Sequence, residues 1–208
     1  MKPEMTFTNR SSPSHGTALV TGAGSGIGRA IAFALCRAGY HVILAGRRSA
    51  PLNALAHQLG ADVTTVWPID ITHEPALPAF TDNIQSLDIL VHSAGMFHGS
   101  RLAEISNDMK ILLHRVNVRA PLHLSNLLLP ALKTAGGQVV FINSTASLGD
   151  RVAADAYAAS KHALKQGAAQ FRQENRGRGI RVLTVYPGRT ATPMQSEVLL
   201  HEGRPDVD

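Results

Sequence analysis

A short apolar run, Ala18 to Thr21, opens straight into Thr21-Gly22-Ala23-Gly24-Ser25-Gly26-Ile27-Gly28 and then into the helix-like stretch Arg29 to Leu35. Strand, glycine turn and helix follow one another without a linker. Glycines at such a turn let the backbone approach a pyrophosphate, whose charge is favoured by the free amides of the helix N-terminus. The spacing is G-x-x-x-G-x-G, through Gly22, Gly26 and Gly28, because Ile27 stands where G-x-G-x-x-G needs its third glycine. An ordinary glycine-rich βα turn has the same pattern, so the run alone is a weak signal of function.

After it, β-like runs alternate with longer stretches of helical period, as in a parallel sheet covered by helices. Strands are expected at Ala18 to Thr21, His41 to Ala45, Val63 to Trp67, Ile89 to His92, Gln138 to Asn143 and Arg181 to Tyr186. Helices are expected at Gly26 to Ala38, Pro51 to Leu59, Glu74 to Gln85, Asn107 to Thr134 and Ala154 to Asn175. Runs such as Ile89-Leu90-Val91 are apolar on both faces, as a sheet buried on both sides requires. The chain of 208 residues suffices for one large core and leaves little room for a second. We therefore expect a loose leader over 1–16, one α/β domain over 17–194 and a short tail over 195–208, in which Ser196 to His201 could form a short helix.

Composition narrows the class further. The hydrophobic share of 44% excludes a chain disordered throughout. A single cysteine excludes an internal disulfide framework, and no Cys/His group has structural-zinc spacing, so no metal is expected and a reducing, cytoplasmic location is. No apolar run approaches the roughly 20 residues that span a bilayer, and the first sixteen residues lack a secretory apolar segment. Net charge is +5. Its densest basic patch, Arg172, Arg176, Arg178 and Arg181, is interrupted by Glu174 and has no interleaved aromatics, so it reads as a solvated helix end and not as a nucleic-acid surface.

Further along stand His92-Ser93-Ala94-Gly95, Asn117, Ser144, Tyr157-Ala158-Ala159-Ser160-Lys161, and Pro187-Gly188 followed by Thr190 and Thr192. Taken with the glycine turn, in this order, they resemble the short-chain dehydrogenase/reductase superfamily, over roughly Thr17 to Met194. The resemblance implies a Rossmann-type doubly wound parallel sheet. It also implies a nicotinamide cofactor held by Gly22, Ser25, Gly26, Ile27 and Gly28, by Asp70 and Ile71 beside the adenine, by Ser93, Ala94 and Gly95 under the ribose, and by Pro187, Gly188, Thr190 and Thr192. Asp70 has an alternative reading as a simple helix N-terminal residue preceding Thr72. At the end of the second strand an acid would hold the ribose hydroxyls of NAD, whereas cations suit the 2′-phosphate of NADP. Here Gly46 is followed by Arg47 and Arg48. Two guanidiniums offer forked donors for phosphate, so NADP(H) is expected.

Tyr157 and Lys161 are one helical turn apart and share a face. A phenol titrates near pH 10, and a neighbouring ammonium favours the phenolate, so Lys161 is expected to lower the Tyr157 pKa. The resemblance adds that Lys161 binds the nicotinamide ribose, Ser144 orients the substrate oxygen, Tyr157 exchanges the proton and Asn117 holds a water of a proton relay. The implied reaction interconverts a carbonyl compound and an alcohol. The alternative is a catalytically silent NADP(H)-binding regulator on the same fold. His92-Ser93 replaces the family's usual Asn-Asn, which removes hydrogen bonds between central strands; His92 is expected to be a satisfied core histidine.

Only Gln195 to Asp208 follow Met194, so the fold is expected to lack most of the family's C-terminal lid and its seventh strand, leaving the sixth strand at an edge. Pairing of the helices near 107–134 and 154–175 is expected to give a homodimer. Pocket walls implied by the family are Met96, Phe97, His98, Leu148, Gly149, Val152 and Met194, with Arg151 nearby. Most are apolar, which suits a weakly charged ketone, aldehyde or secondary alcohol.

Overall fold

Ala18-Leu19-Val20, Val42-Ile43-Leu44-Ala45 and Leu90-Val91 are buried at every position, which a strand permits only when both faces of its sheet are covered. The computed structural model describes residues 15–149 and 155–204. It contains β1 (Thr17–Thr21), β2 (His41–Gly46), β3 (Thr64–Pro68), β4 (Ile89–His92), β5 (Gln138–Ile142) and β6 (Arg181–Val185), all parallel, in the order β3-β2-β1-β4-β5-β6. This is the doubly wound arrangement. Its strand order reverses between β1 and β4, and in open α/β sheets ligands bind at that point, outside the carboxyl ends of the strands.

Alternate residues of each strand feed two cores. Ala18, Val20, Val42 and Leu44 join Ala32 of α1 (Gly26–Arg37) and Leu52 and Leu55 of α2 (Ser49–Leu59) on one face. Leu19, Ile43, Leu90 and Phe141 join Leu124, Leu164 and Phe171 on the other. These last come from α5 (Ala120–Leu127) and α7 (Ala156–Glu174).

Two expected helices are broken, and proline explains both. The stretch 74–85 becomes a 3₁₀ turn at Glu74–Ala76 and the short α3 (Pro78–Thr81). Pro78 has no N–H for the Glu74 carbonyl, so each proline opens a new turn. The stretch 107–134 divides into α4 (Asn107–His114), a π-helical turn at Arg115–Arg119, α5 and α6 (Leu129–Ala135). Pro121 and Pro130 lack the N–H that the carbonyls of Asn117 and Asn126 would take in a continuous helix. Asn117 thus sits in a π-helical turn, wider and underwound relative to α geometry.

α7 is capped by the Asp155 carboxylate, which accepts from the Ala158 amide. The last helix, α8 (Pro193–His201), begins under a cap from the Thr192 hydroxyl and crosses the domain boundary expected at Met194. It is also longer than the Ser196 to His201 segment expected in the tail. No helix among the described residues is long and apolar enough to cross a membrane. The expected leader falls outside the described residues except for His15 and Gly16.

Candidate active site

The glycine turn is held by close backbone contact. A Cβ on Gly22 would lie 2.8 Å from the Ala94 amide nitrogen, and one on Gly28 would collide with the Gly22 carbonyl. β1 and β4 therefore meet at their carboxyl ends through atoms that only glycine leaves room for. Gly22 and Gly26 also have φ of +69° and +52°, a region that disfavours other residues. The Thr21 hydroxyl joins the two strand ends, donating to the Val91 carbonyl and accepting from the Ser93 and Ala94 amides.

Ser25 opens α1 without a side-chain capping bond, and the first turn carries no acid. The amides of Gly26, Ile27 and Gly28 precede the first intrahelical donor, Arg29. Such a cradle fits an anionic pyrophosphate. Thr192 lies across it, its methyl group 3.2 Å from where a Gly26 Cβ would be. A groove of about 760 Å³ runs from Gly24, Ser25 and Gly26 past Arg29 and Pro51 to Pro193.

Arg47 and Arg48 are exposed at the end of β2. Asp70 accepts from both the amide and the hydroxyl of Thr72, at 2.9 and 2.7 Å, so its carboxylate serves the local turn. Partial burial raises its pKa, but those hydrogen bonds and the charges of Arg47 and Arg115 outweigh burial and hold it below the usual range. Ile71 is buried in the core.

The second half of the cluster gathers where β4, β5 and α7 meet. The Lys161 ammonium, 5% exposed, donates to the Ile142 carbonyl at 3.1 Å and stands 5.9 Å from the centre of the Tyr157 ring. A Cβ on Gly95 would be 3.6 Å from that ammonium and 3.2 Å from Asn117 Oδ1. Ser144 Oγ accepts from the Ala146 amide, which leaves its proton free to donate. The Asn117 side chain is fully used: Oδ1 accepts from the Met96 amide, while Nδ2 donates to the Met96 carbonyl and to Ser160 Oγ. It fastens the loop after β4 to α7.

One expectation is corrected here. Tyr157 does not have the lowered pKa that a neighbouring ammonium implies; burial pushes it up, the Ser144 hydrogen bond opposes this and the Asp155 charge adds to it. Lys161 lies beside the ring and is bonded to main chain, and its own burial pushes it down to about 8. His92 differs too. Ser125 donates to the Pro121 carbonyl, so it accepts from His92 Nε2 at 2.7 Å, and His92 Nδ1 is left buried without a partner. It is half satisfied, and burial lowers its pKa to about 3.

Pro187 accepts from the Thr145 amide, and Thr190 donates to the Gly188 carbonyl. Among the expected pocket walls, Phe97 stands edge-on to Tyr157 at 5.3 Å, Met96 packs against Ile105, Leu113 and Ala156, and Leu148 and Gly149 are open to solvent. Met194 is on α8; Arg151 and Val152 lie outside the described residues. Sequence reasoning missed Thr21, Ser160 and His201, the last 6.2 Å from Phe97. Thr21 and Ser160 stand inside the quoted motifs, but each of the three acts through a partner distant in the chain, which no local pattern marks.

Fold and cluster together define a Rossmann-type α/β protein with a polar Ser-Tyr-Lys group at the carboxyl edge of its sheet. The chain belongs to the short chain dehydrogenase family, which matches residues 16–203, and is an oxidoreductase of that family. It is 32% identical over 185 residues to an uncharacterised oxidoreductase of Staphylococcus epidermidis, covering 85% of this chain and 79% of that one. It is 34% identical over 183 residues to a serine 3-dehydrogenase of Agrobacterium fabrum, covering 85% and 73%. Among solved structures it resembles an actinorhodin polyketide ketoreductase variant with NADPH, with TM-score 0.85 and 28% identity over 93% of this chain and 78% of the other.

Proposed function

We propose that the protein is an NADP(H)-dependent reductase of a small, weakly charged carbonyl compound, with alcohol oxidation as its reverse. The observation that carries this reading is the convergence of Ser144, Tyr157 and Lys161 beside Gly95, at the strand-order reversal. When bound, the nicotinamide supplies hydride to the carbonyl carbon. The uncapped amides of Gly26, Ile27 and Gly28 hold the pyrophosphate, the Ser25 hydroxyl adds to the contacts on the 2′-phosphate, and Thr190 and Thr192 complete the cofactor site beyond Pro187 and Gly188. Ser93, Ala94 and Gly95 admit the adenosine ribose and Lys161 binds the nicotinamide ribose, while Asp70 and Ile71 border the adenine.

The Ser144 hydroxyl donates to the substrate oxygen and Tyr157 protonates it. A phenol whose pKa burial raises keeps its proton until the oxygen takes up charge, which suits the acid role in reduction. Asn117 holds the Met96 loop in place and lies beside the relay that returns a proton to Tyr157. Arg47 and Arg48, with no acid on β2 to compete, favour the 2′-phosphate of NADP(H). The NADPH-containing ketoreductase supports that preference by analogy. Pairing through α4, α5 and α7 into a homodimer belongs to the same reading.

Titration with NADPH and NADH, followed by oxidation of the tighter cofactor with a carbonyl panel, tests it. Tighter NADPH binding with turnover is expected. Tighter NADH binding overturns the arginine argument, and NADPH binding without turnover of any carbonyl overturns the reductase in favour of a silent regulator.

A further inference from the structure

α8 does more than end the fold. Its nine residues extend from the cofactor cradle to the loop after β4. At its first turn Thr192 caps the helix and covers Gly26. At its far end Arg189 pairs with Glu202 through two hydrogen bonds of 2.7 and 2.8 Å, which ties the helix terminus to the segment that launched it. The His201 ring then seats against Gly99 so closely that a Cβ there would overlap three of its atoms, including Nε2 at 2.5 Å. Phe97 stands between, edge-on to His201 at 6.2 Å and edge-on to Tyr157 at 5.3 Å.

We infer that His201 is a positioning residue: its ring latches α8 onto Gly99 and Phe97, and through Phe97 it sets the wall of the site at the Tyr157 phenol. The inference rests on the reading of Tyr157 as the proton donor, but the latch itself does not. Gly99 has no positive φ, so alanine fits the chain there, and the overlap falls on the ring of an exposed side chain and not on backbone. Gly99→Ala therefore displaces the ring without endangering the fold. Loss of one edge-to-face ring pair is enough to shift a closed helix toward open several-fold. The ring's shape carries the contact, so phenylalanine substitutes for histidine.

The test measures hydrogen exchange of the α8 amides and the rate of Tyr157 nitration by tetranitromethane, in full-length wild type, G99A, H201A, H201F and the G99A/H201A double variant. Both readouts are independent of turnover. Exchange and nitration should rise about threefold to tenfold in G99A and in H201A, stay near wild type in H201F, and rise no further in the double variant, because the two changes break one contact. Single variants that leave both rates unchanged, or a double variant whose effects multiply, overturn the latch. Faster α8 exchange with unchanged Tyr157 nitration overturns the positioning role. If the protein reduces no carbonyl, the proposed function fails while these rates still decide the latch; if it does, KM for the carbonyl should rise in G99A with NADPH affinity within twofold of wild type.

Discussion

Lys161 and His92 are buried bases, and each leaves a signature in the pH dependence of stability. Burial lowers Lys161 to about 8, whereas an unfolded lysine titrates near 10.4. Between these values the unfolded chain binds more protons, so stability rises with pH across that window. A Lys161→Met variant should lack the rise, a difference of roughly 3 kcal/mol between pH 7 and pH 10.5, read by urea unfolding; parallel curves for variant and parent contradict it. His92, lowered to about 3, acts at the acid end. There the unfolded chain again binds more protons, and stability is lost as pH falls from 6.5 toward 3. A His92→Asn variant should show a shallower acid loss between pH 7 and pH 4 in the same measurement.

At the scale of elements, the glycine turn and the open edge make opposite demands. The turn needs close approach: Gly28→Ala places a methyl group on the Gly22 carbonyl, which is backbone and cannot swing aside. We expect at least a tenfold loss of NADPH affinity by fluorescence titration; unchanged affinity would falsify the assignment of this turn to the cofactor. β6 needs the reverse, protection from approach. Its Leu183 and Val185 are exposed, and alternation turns the Val182 carbonyl away from β5 toward the free edge. Arg172 Nε donates to that carbonyl at 3.0 Å. Arg172→Ala should therefore aggregate faster on warming, by light scattering, with little change in NADPH binding.

The same scale separates what was legible in the sequence from what was not. The strands were readable within a residue or two because parallel strands buried on both faces need continuous apolar runs, and Leu19-Val20 or Leu90-Val91 have no other use. The helix breaks were readable in principle, since Pro78, Pro121 and Pro130 each remove a donor, but helical period masked them. Ser144, Tyr157 and Lys161 were singled out because their spacing matches a family pattern. Their electrostatics were not, because the Tyr157 pKa follows from burial and from where the Lys161 ammonium points. Thr21 to Ser93, Asn117 to Ser160 and His201 to Gly99 join residues 43 to 102 positions apart, and no local pattern announces such pairs.

For the whole molecule, the doubly wound sheet brings four separate segments to one edge: the glycine turn, the arginines after β2, the loop after β4 and the head of α7. Removing both guanidiniums in Arg47→Ala/Arg48→Ala should weaken NADPH binding about 10- to 100-fold and leave NADH within twofold; equal losses for both cofactors contradict a 2′-phosphate site. Turnover in this reading depends on the proton that Tyr157 supplies. That dependence is tested most directly by following NADPH absorbance with the best carbonyl substrate in wild type and in Tyr157→Phe, alongside NADPH affinity for both. The variant should bind NADPH within about threefold of wild type while its turnover falls by at least about 100-fold. Turnover near the wild-type rate in Tyr157→Phe contradicts it.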